Sequence, residues 1–145
     1  MTSTTIFVLN GPNLNLLGTR EPEIYGTETL DDIAGRLEDQ ARALGLTIDM
    51  RQSNHEGHLI DWLHEASAVG AKAVLLNAGG LTHTSIAIHD AIKSIKVPVI
   101  EVHLSDPHKR EDFRHLSYVG MAAVACFAGH GADSYTLALD AAAKL

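Results

Sequence analysis

Short apolar runs that alternate with longer amphipathic stretches constrain this chain more than any other feature. The runs are Thr5–Leu9, Thr47–Gln52, Ala73–Asn77, Val97–His103 and Ala122–Phe127. Helical spacing marks the segments near Leu30–Leu44, Gly57–Val69, Ser85–Ile95 and Ala132–Ala143. In the first of these, Leu30, Ile33, Leu37, Ala41 and Leu44 fall on one stripe. Thr29 and Asp32 have the spacing of a cap at its start, and Gly45 stands where a left-handed stop residue belongs. Near-continuous apolar strands alternating with helices mean a parallel sheet covered on both faces.

At 145 residues the chain has the length of one domain, 1–145, with enough residues to bury a core. The expected fold is α/β: a flavodoxin-like three-layer αβα sandwich on a five-stranded parallel sheet of order 2-1-3-4-5. A net charge of −7 argues against nucleic acid or an anionic membrane surface as the main partner. It leaves room for a small anionic ligand, which needs only a few local cations. The one cysteine, Cys126, excludes a disulfide within the chain and fits a reducing cytoplasm. Its apolar setting, AAVACFAG, predicts a buried and inert thiol. The N-terminus lacks a basic n-region, and no window approaches the ~20 apolar residues of a spanning helix. A soluble, cytoplasmic protein is expected.

In such a sheet ligands bind beyond the carboxyl ends of the strands, where strand order switches. The chemistry should therefore lie in the segments after strands one, three and four, with SNHEG (Ser53–Gly57) to one side. After strand one comes NGPNLNLLGTREPEIYG, Asn10–Gly26, which reads as neither strand nor helix. Loops this long are usually functional or disordered. Arg20 beside Tyr25 suits a lid that brings a phenolate onto a substrate, since a nearby cation lowers a phenol's pKa. A surface loop with a packed tyrosine is the plainer alternative. After strand three, NAGGLTHTS (Asn77–Ser85) reads as a turn opening a helix, whose Gly79 and Gly80 let backbone amides approach a ligand. A simple tight turn explains that pair equally.

Glu101 and His103 alternate on strand four and should point the same way. A carboxylate there orients the imidazole and raises its pKa, which suits a general acid; a strand-end ion pair is the plainer reading. Nine histidines invite a metal, but His55, His58 and His64 form no HExxH or Cys/His cluster, and no metal is expected.

Taken together, GPNLNLLGTREPEIYG, QSNHEG, NAGGLTHTS, IEVHLS and REDFRHLSY occur in this order from residue 11 to residue 118. The pattern closely resembles the type II 3-dehydroquinate dehydratases of the shikimate pathway, over essentially the whole chain. The resemblance implies a hydro-lyase that removes water from 3-dehydroquinate by anti elimination through an enolate, giving 3-dehydroshikimate. It implies no cofactor, neither metal nor Schiff base. Tyr25 matches the base, Arg20 the lid arginine that favours its phenolate, and Asn13 the residue that positions a water against the enolate oxygen. His103 matches the general acid, with Glu101 holding it.

Asn77 and the backbone of Leu104 and Ser105 match the carboxylate site; His83 and Arg114 match binders of the ring hydroxyls. Arg110 matches a cation near the lid, and Asp90 a residue lent to a neighbouring subunit. The implied assembly is a dodecamer of trimers.

Departures are NAGGL where many relatives have NPGAY, His89 where arginine is frequent, and Asp106-Pro107 where Asn and an aliphatic residue are common. Asp106 either weakens anion binding or caps a turn. Two rival readings are a non-catalytic sensor of the same ligand and a flavin-binding flavodoxin-like module. The first would not need Tyr25, Arg20 and His103; the second would be expected to show a phosphate loop after strand one.

Overall fold

The computed structural model describes residues 3–19 and 21–145; Arg20 and the Tyr25 side chain lie outside what it describes. The chain runs through β1 (Thr5–Asn10), a 3-10 turn (Leu14–Leu16), α1 (Pro22–Tyr25), α2 (Leu30–Leu44), β2 (Thr47–Gln52) and α3 (Glu56–Ala68). It continues with β3 (Ala73–Asn77), a 3-10 turn (Gly79–His83), α4 (Ile86–Ser94) and β4 (Val99–His103). Two short 3-10 turns (Pro107–Lys109 and Asp112–Arg114), β5 (Ala125–Ala128) and α5 (Asp133–Ala143) complete it. The sheet is parallel with order β2-β1-β3-β4-β5, as the alternation of elements required.

Two apolar clusters sandwich the sheet. On one face α2 and α5 bury Ile33, Leu37, Tyr135 and Leu139 against Ile6, Val8, Leu75 and Ile100. On the other, α3 and α4 bury Leu59, Leu63, Ile88 and Ile92 against Phe7, Leu9, Val74 and Leu76. A fully buried side chain of this size contributes about 1.5–3 kcal/mol, so the stripe on α2 is what docks it. At its start Asp32 N–H donates to Thr29 Oγ1 (3.1 Å) and Thr29 N–H to Asp32 Oδ2 (3.0 Å), the reciprocal cap. Gly45 closes the helix at φ 72°.

Four expectations are corrected. β4 starts at Val99 rather than Val97, because Pro98 has no N–H to give the ladder and its carbonyl instead accepts from Val74. β5 starts at Ala125 rather than Ala122: Ala122 and Ala123 turn back to hydrogen-bond Val119 O, so their apolar character is not strand character. Asn10–Gly26 contains helical turns after all, at Leu14–Leu16 and Pro22–Tyr25, the second started by Pro22 at its first position. Finally, Cys126 is exposed, because β5 is an edge strand and lies half-open to solvent, as does the other edge, β2.

Candidate active site

The carboxyl ends of β1, β3 and β4 meet at the switch in strand order, and the segments following them wall a cavity of about 120 Å³. Pro12 and Asn13 come from the first segment, Asn77, Gly79, Gly80 and His83 from the second. His103, Leu104, Ser105, Pro107, Arg110 and Arg114 come from the third. The Ser53–Gly57 segment stays out of the wall, but Asn54 Oδ1 accepts the Asn13 N–H (2.9 Å) and holds that residue in place. Asn13 sits in the left-handed region at φ 71°, a conformation Asn tolerates better than most residues.

The first two segments are pressed together. A Cβ on Gly11 would lie 2.4 Å from the Ala78 carbonyl oxygen, and one on Gly79 (φ 60°) 2.9 Å from the Pro12 carbonyl oxygen. Gly79 therefore serves contact between loops as well as lining the cavity. The segment is a turn opening a helix, as expected, but the helix start lies beyond the cavity. Gly79–His83 forms a 3-10 turn, and α4 begins only at Ile86, with its Ile88 N–H capped by Ser85 Oγ (2.9 Å) and outside the cavity wall.

Glu101 and His103 are both buried at the end of β4 and meet as their alternation required: His103 Nε2–H donates to Glu101 Oε2 at 2.7 Å. Ser117 Oγ–H donates to the same oxygen at 2.6 Å. Burial pushes the Glu101 carboxyl up, but the hydrogen bonds from His103 and Ser117 outweigh it and hold the group below the ordinary carboxylate range. With Nε2 engaged, Nδ1 is the His103 atom left to act toward the cavity. The His83 ring stacks on it at 6.4 Å, and His83 Nδ1–H donates to Leu116 O (2.8 Å), which leaves Nε2 as an acceptor. Burial first, then the nearby His103 and Arg114, holds His83 below its ordinary value, despite the Leu116 bond. Each of the two stacked rings thus has one nitrogen held by a protein oxygen and the other left at the cavity.

Asn77 is fixed from below. Its Nδ2 donates to Tyr135 Oη (2.8 Å), its Oδ1 accepts the Gly79 N–H (3.2 Å), and Tyr135 Oη donates to Asn10 Oδ1 (2.6 Å). Asn10 Nδ2 in turn donates to Arg51 O (3.0 Å). Arg110 Nη1 reaches Ser105 Oγ (3.4 Å), and Arg114 Nε donates to Glu111 Oε1 (3.0 Å), both guanidinium groups remaining at the wall. Asp106 Oδ1 accepts the His108 N–H (3.0 Å), the turn-capping role of the two foreseen. Asp90 is exposed on α4 and is not brought to this cavity, and Arg20 and the Tyr25 side chain lie outside the described residues. Among the described residues no three His, Cys, Asp or Glu side chains gather as a metal site, and no helix is long and apolar enough to cross a membrane.

This arrangement sits in a chain whose residues 4–143 match the family model described as dehydroquinase class II. The chain belongs to that family. It is 58% identical over 139 residues to a 3-dehydroquinate dehydratase of Rhizobium johnstonii, covering 94% of each chain. It is 54% identical over 142 residues to one of Rhodopseudomonas palustris strain BisA53, covering 97% of this chain and 94% of that one. Among solved structures, the type II dehydroquinase of Propionibacterium acnes is 44% identical, covers 99% of both chains and superposes with a TM-score of 0.94.

Proposed function

We propose that the chain dehydrates 3-dehydroquinate to 3-dehydroshikimate in the shikimate pathway, by anti elimination through an enolate. The observation that carries this reading is the class II match along residues 4–143 together with His103 at the cavity wall, hydrogen-bonded to the buried Glu101. Tyr25, as phenolate beside Arg20, removes the proton next to the ring ketone. The charge that develops on the ketone oxygen is met by a water held by Asn13. The imidazolium of His103 gives its Nδ1 proton to the departing hydroxyl, which leaves as water, and returns to the neutral ring held through Nε2–H by Glu101.

Asn77 with the Leu104 and Ser105 backbone holds the substrate carboxylate. His83 Nε2 and the Arg114 guanidinium take the ring hydroxyls. Asn10–Gly26 closes over the substrate as a lid, with Arg110 beneath it. No metal or other cofactor enters these steps.

The working form is an assembly of copies, a dodecamer of trimers, in the cytoplasm. The exposure of Phe113, Leu116, Met121 and Val124, between 44% and 64%, supports a second copy covering that face, with Asp90 lent across it. No observation favours a non-catalytic sensor or a flavin-binding module.

The roles separate in deuterated water. His103→Ala should still exchange the proton beside the ketone, because the base is intact, while elimination falls by at least about a hundredfold. Loss of exchange and elimination together, in a folded variant, would remove His103 from the acid's role.

A further inference from the structure

The segment between the 3-10 turn Asp112–Arg114 and β5 does more than connect them. Its backbone is pinned beside the cavity: Tyr118 N–H donates to Thr82 O (2.9 Å), and His89 Nδ1–H donates to Tyr118 O (2.8 Å). Leu116 O accepts a hydrogen bond from His83 Nδ1–H. The next residue, Ser117, carries a hydroxyl held from both sides. It accepts the Gly120 N–H (2.8 Å) and donates to Glu101 Oε2 (2.6 Å), the oxygen that also takes His103 Nε2–H. The accepted bond fixes where the Ser117 oxygen sits, so its own proton has one direction left.

Space around the carboxylate is equally defined. A Cβ on Gly120 would lie 2.8 Å from Glu101 Oε1 and 3.1 Å from Ser117 Oγ. The missing side chain at residue 120 is therefore what lets the carboxylate lie flat against this turn. Cys126 is the register partner of Glu101 on the neighbouring strand β5.

We propose that Ser117 is a positioning residue for the reaction, turning the Glu101 carboxylate so that Oε2 accepts the hydrogen bond from His103 Nε2–H and Nδ1 is presented to the substrate. Without the hydroxyl, Glu101 is free to rotate toward the Gly120 N–H, which has lost its acceptor. The imidazole is then no longer confined to one tautomer or one ring angle. The inference deepens the dehydratase reading and rests on it for its kinetic part. Its structural part, the state of the His103 ring, stands alone.

The test compares wild type, Ser117→Ala and Ser117→Thr, the last retaining a hydroxyl. Long-range proton–nitrogen spectra of nitrogen-15 histidine-labelled protein, without substrate, should show His103 of wild type and Ser117→Thr protonated at Nε2. In Ser117→Ala they should show a tautomer mixture. With 3-dehydroquinate, kcat of Ser117→Ala should fall about tenfold to a hundredfold, the weight of one charge-assisted hydrogen bond, with KM within about twofold and kcat restored by Ser117→Thr.

Gly120→Ala, which keeps the hydroxyl but crowds the carboxylate, should give the same loss of kcat. An unchanged His103 spectrum and unchanged kcat in Ser117→Ala would overturn the proposal. A KM effect with kcat intact would also overturn it. A wild type that never turns over 3-dehydroquinate, yet whose His103 tautomer shifts in Ser117→Ala, would sink the dehydratase reading and leave the positioning role standing.

Discussion

Replacing Tyr135 by Phe removes one oxygen from the middle of a buried chain of hydrogen bonds, and its cost can be worked from the two neighbours left behind. Tyr135 is fully buried; its hydroxyl accepts from Asn77 Nδ2 and donates to Asn10 Oδ1, both on residues at most 4% exposed. A buried polar group deprived of its partner costs about 1–3 kcal/mol, which would set an upper bound near 6 kcal/mol for the pair. The bonds that remain, from Gly79 N–H to Asn77 Oδ1 and from Asn10 Nδ2 to Arg51 O, are at the other end of each amide, so both orphaned atoms count and the cost is about 2–6 kcal/mol. For a chain of this length that is a melting temperature lower by roughly 5–25 °C.

The assay is thermal and urea unfolding at matched protein concentration, since association of copies would add to apparent stability. Turnover should show a second effect. Asn77 loses one of the two bonds that fix its amide, so KM should rise more than kcat falls if Asn77 holds the substrate. A Tyr135→Phe variant within about 0.5 kcal/mol of wild type, with unchanged KM, would refute the idea that this phenol supports the site from beneath.

Three further expectations follow from other groups. Glu101 is held below its ordinary pKa in the folded state, so the unfolded chain binds the extra proton and the carboxylate's contribution is present above about 4.5 and lost as pH falls through its folded value. The urea midpoint gap between wild type and Glu101→Gln should therefore be widest near neutrality and shrink in acid; a gap that grows in acid would contradict the assignment. Cys126, though exposed, has its thiol pushed up to about 12, first by desolvation of the sulfur and then by the Glu101 charge and the hydrogen bond to it. Iodoacetamide at pH 8 should label it roughly a hundredfold or more slower than a free thiol, and faster after Glu101→Gln; rapid labelling of wild type would refute this. Thr29→Ala removes the acceptor for Asp32 N–H and should cost about 1 kcal/mol in urea unfolding without touching turnover.

Much of this was legible because the chain states it locally. The helical spacing and the signals at Thr29 and Gly45 marked the observed bounds of α2, and the middle of the expected stripe, Ile33, Leu37 and Ala41, is buried, whereas Leu44 in the last turn is exposed. The β4 pair Glu101 and His103 was visible because two ionisable residues on one face of a buried strand need a partner, and each is the other's. Where apolar character and backbone geometry part company, the reading failed. Ala122 and Ala123 are apolar but turn back on Val119, and Cys126 is apolar in company yet lies on an open edge.

Ser117 and Tyr135 were missed as site residues for another reason: their importance lies in what they reach across 16 and 58 residues of chain. Tyr135 did leave a signal. It is the one aromatic on the buried stripe of α5, with Ala138, Leu139 and Ala142, and a buried phenol hydroxyl requires a partner. Ser117 had only its place in REDFRHLSY, which names no contact.

The central claim is that this chain eliminates water from 3-dehydroquinate with Tyr25 as the base. Ultraviolet absorbance of the purified protein with that substrate tests it directly, because the product is a conjugated enone. The account predicts a steady rise with wild type and none with Tyr25→Phe at the same concentration. A rise that survives Tyr25→Phe unchanged would contradict the assignment of the base, and no rise with folded wild type would contradict the reaction itself.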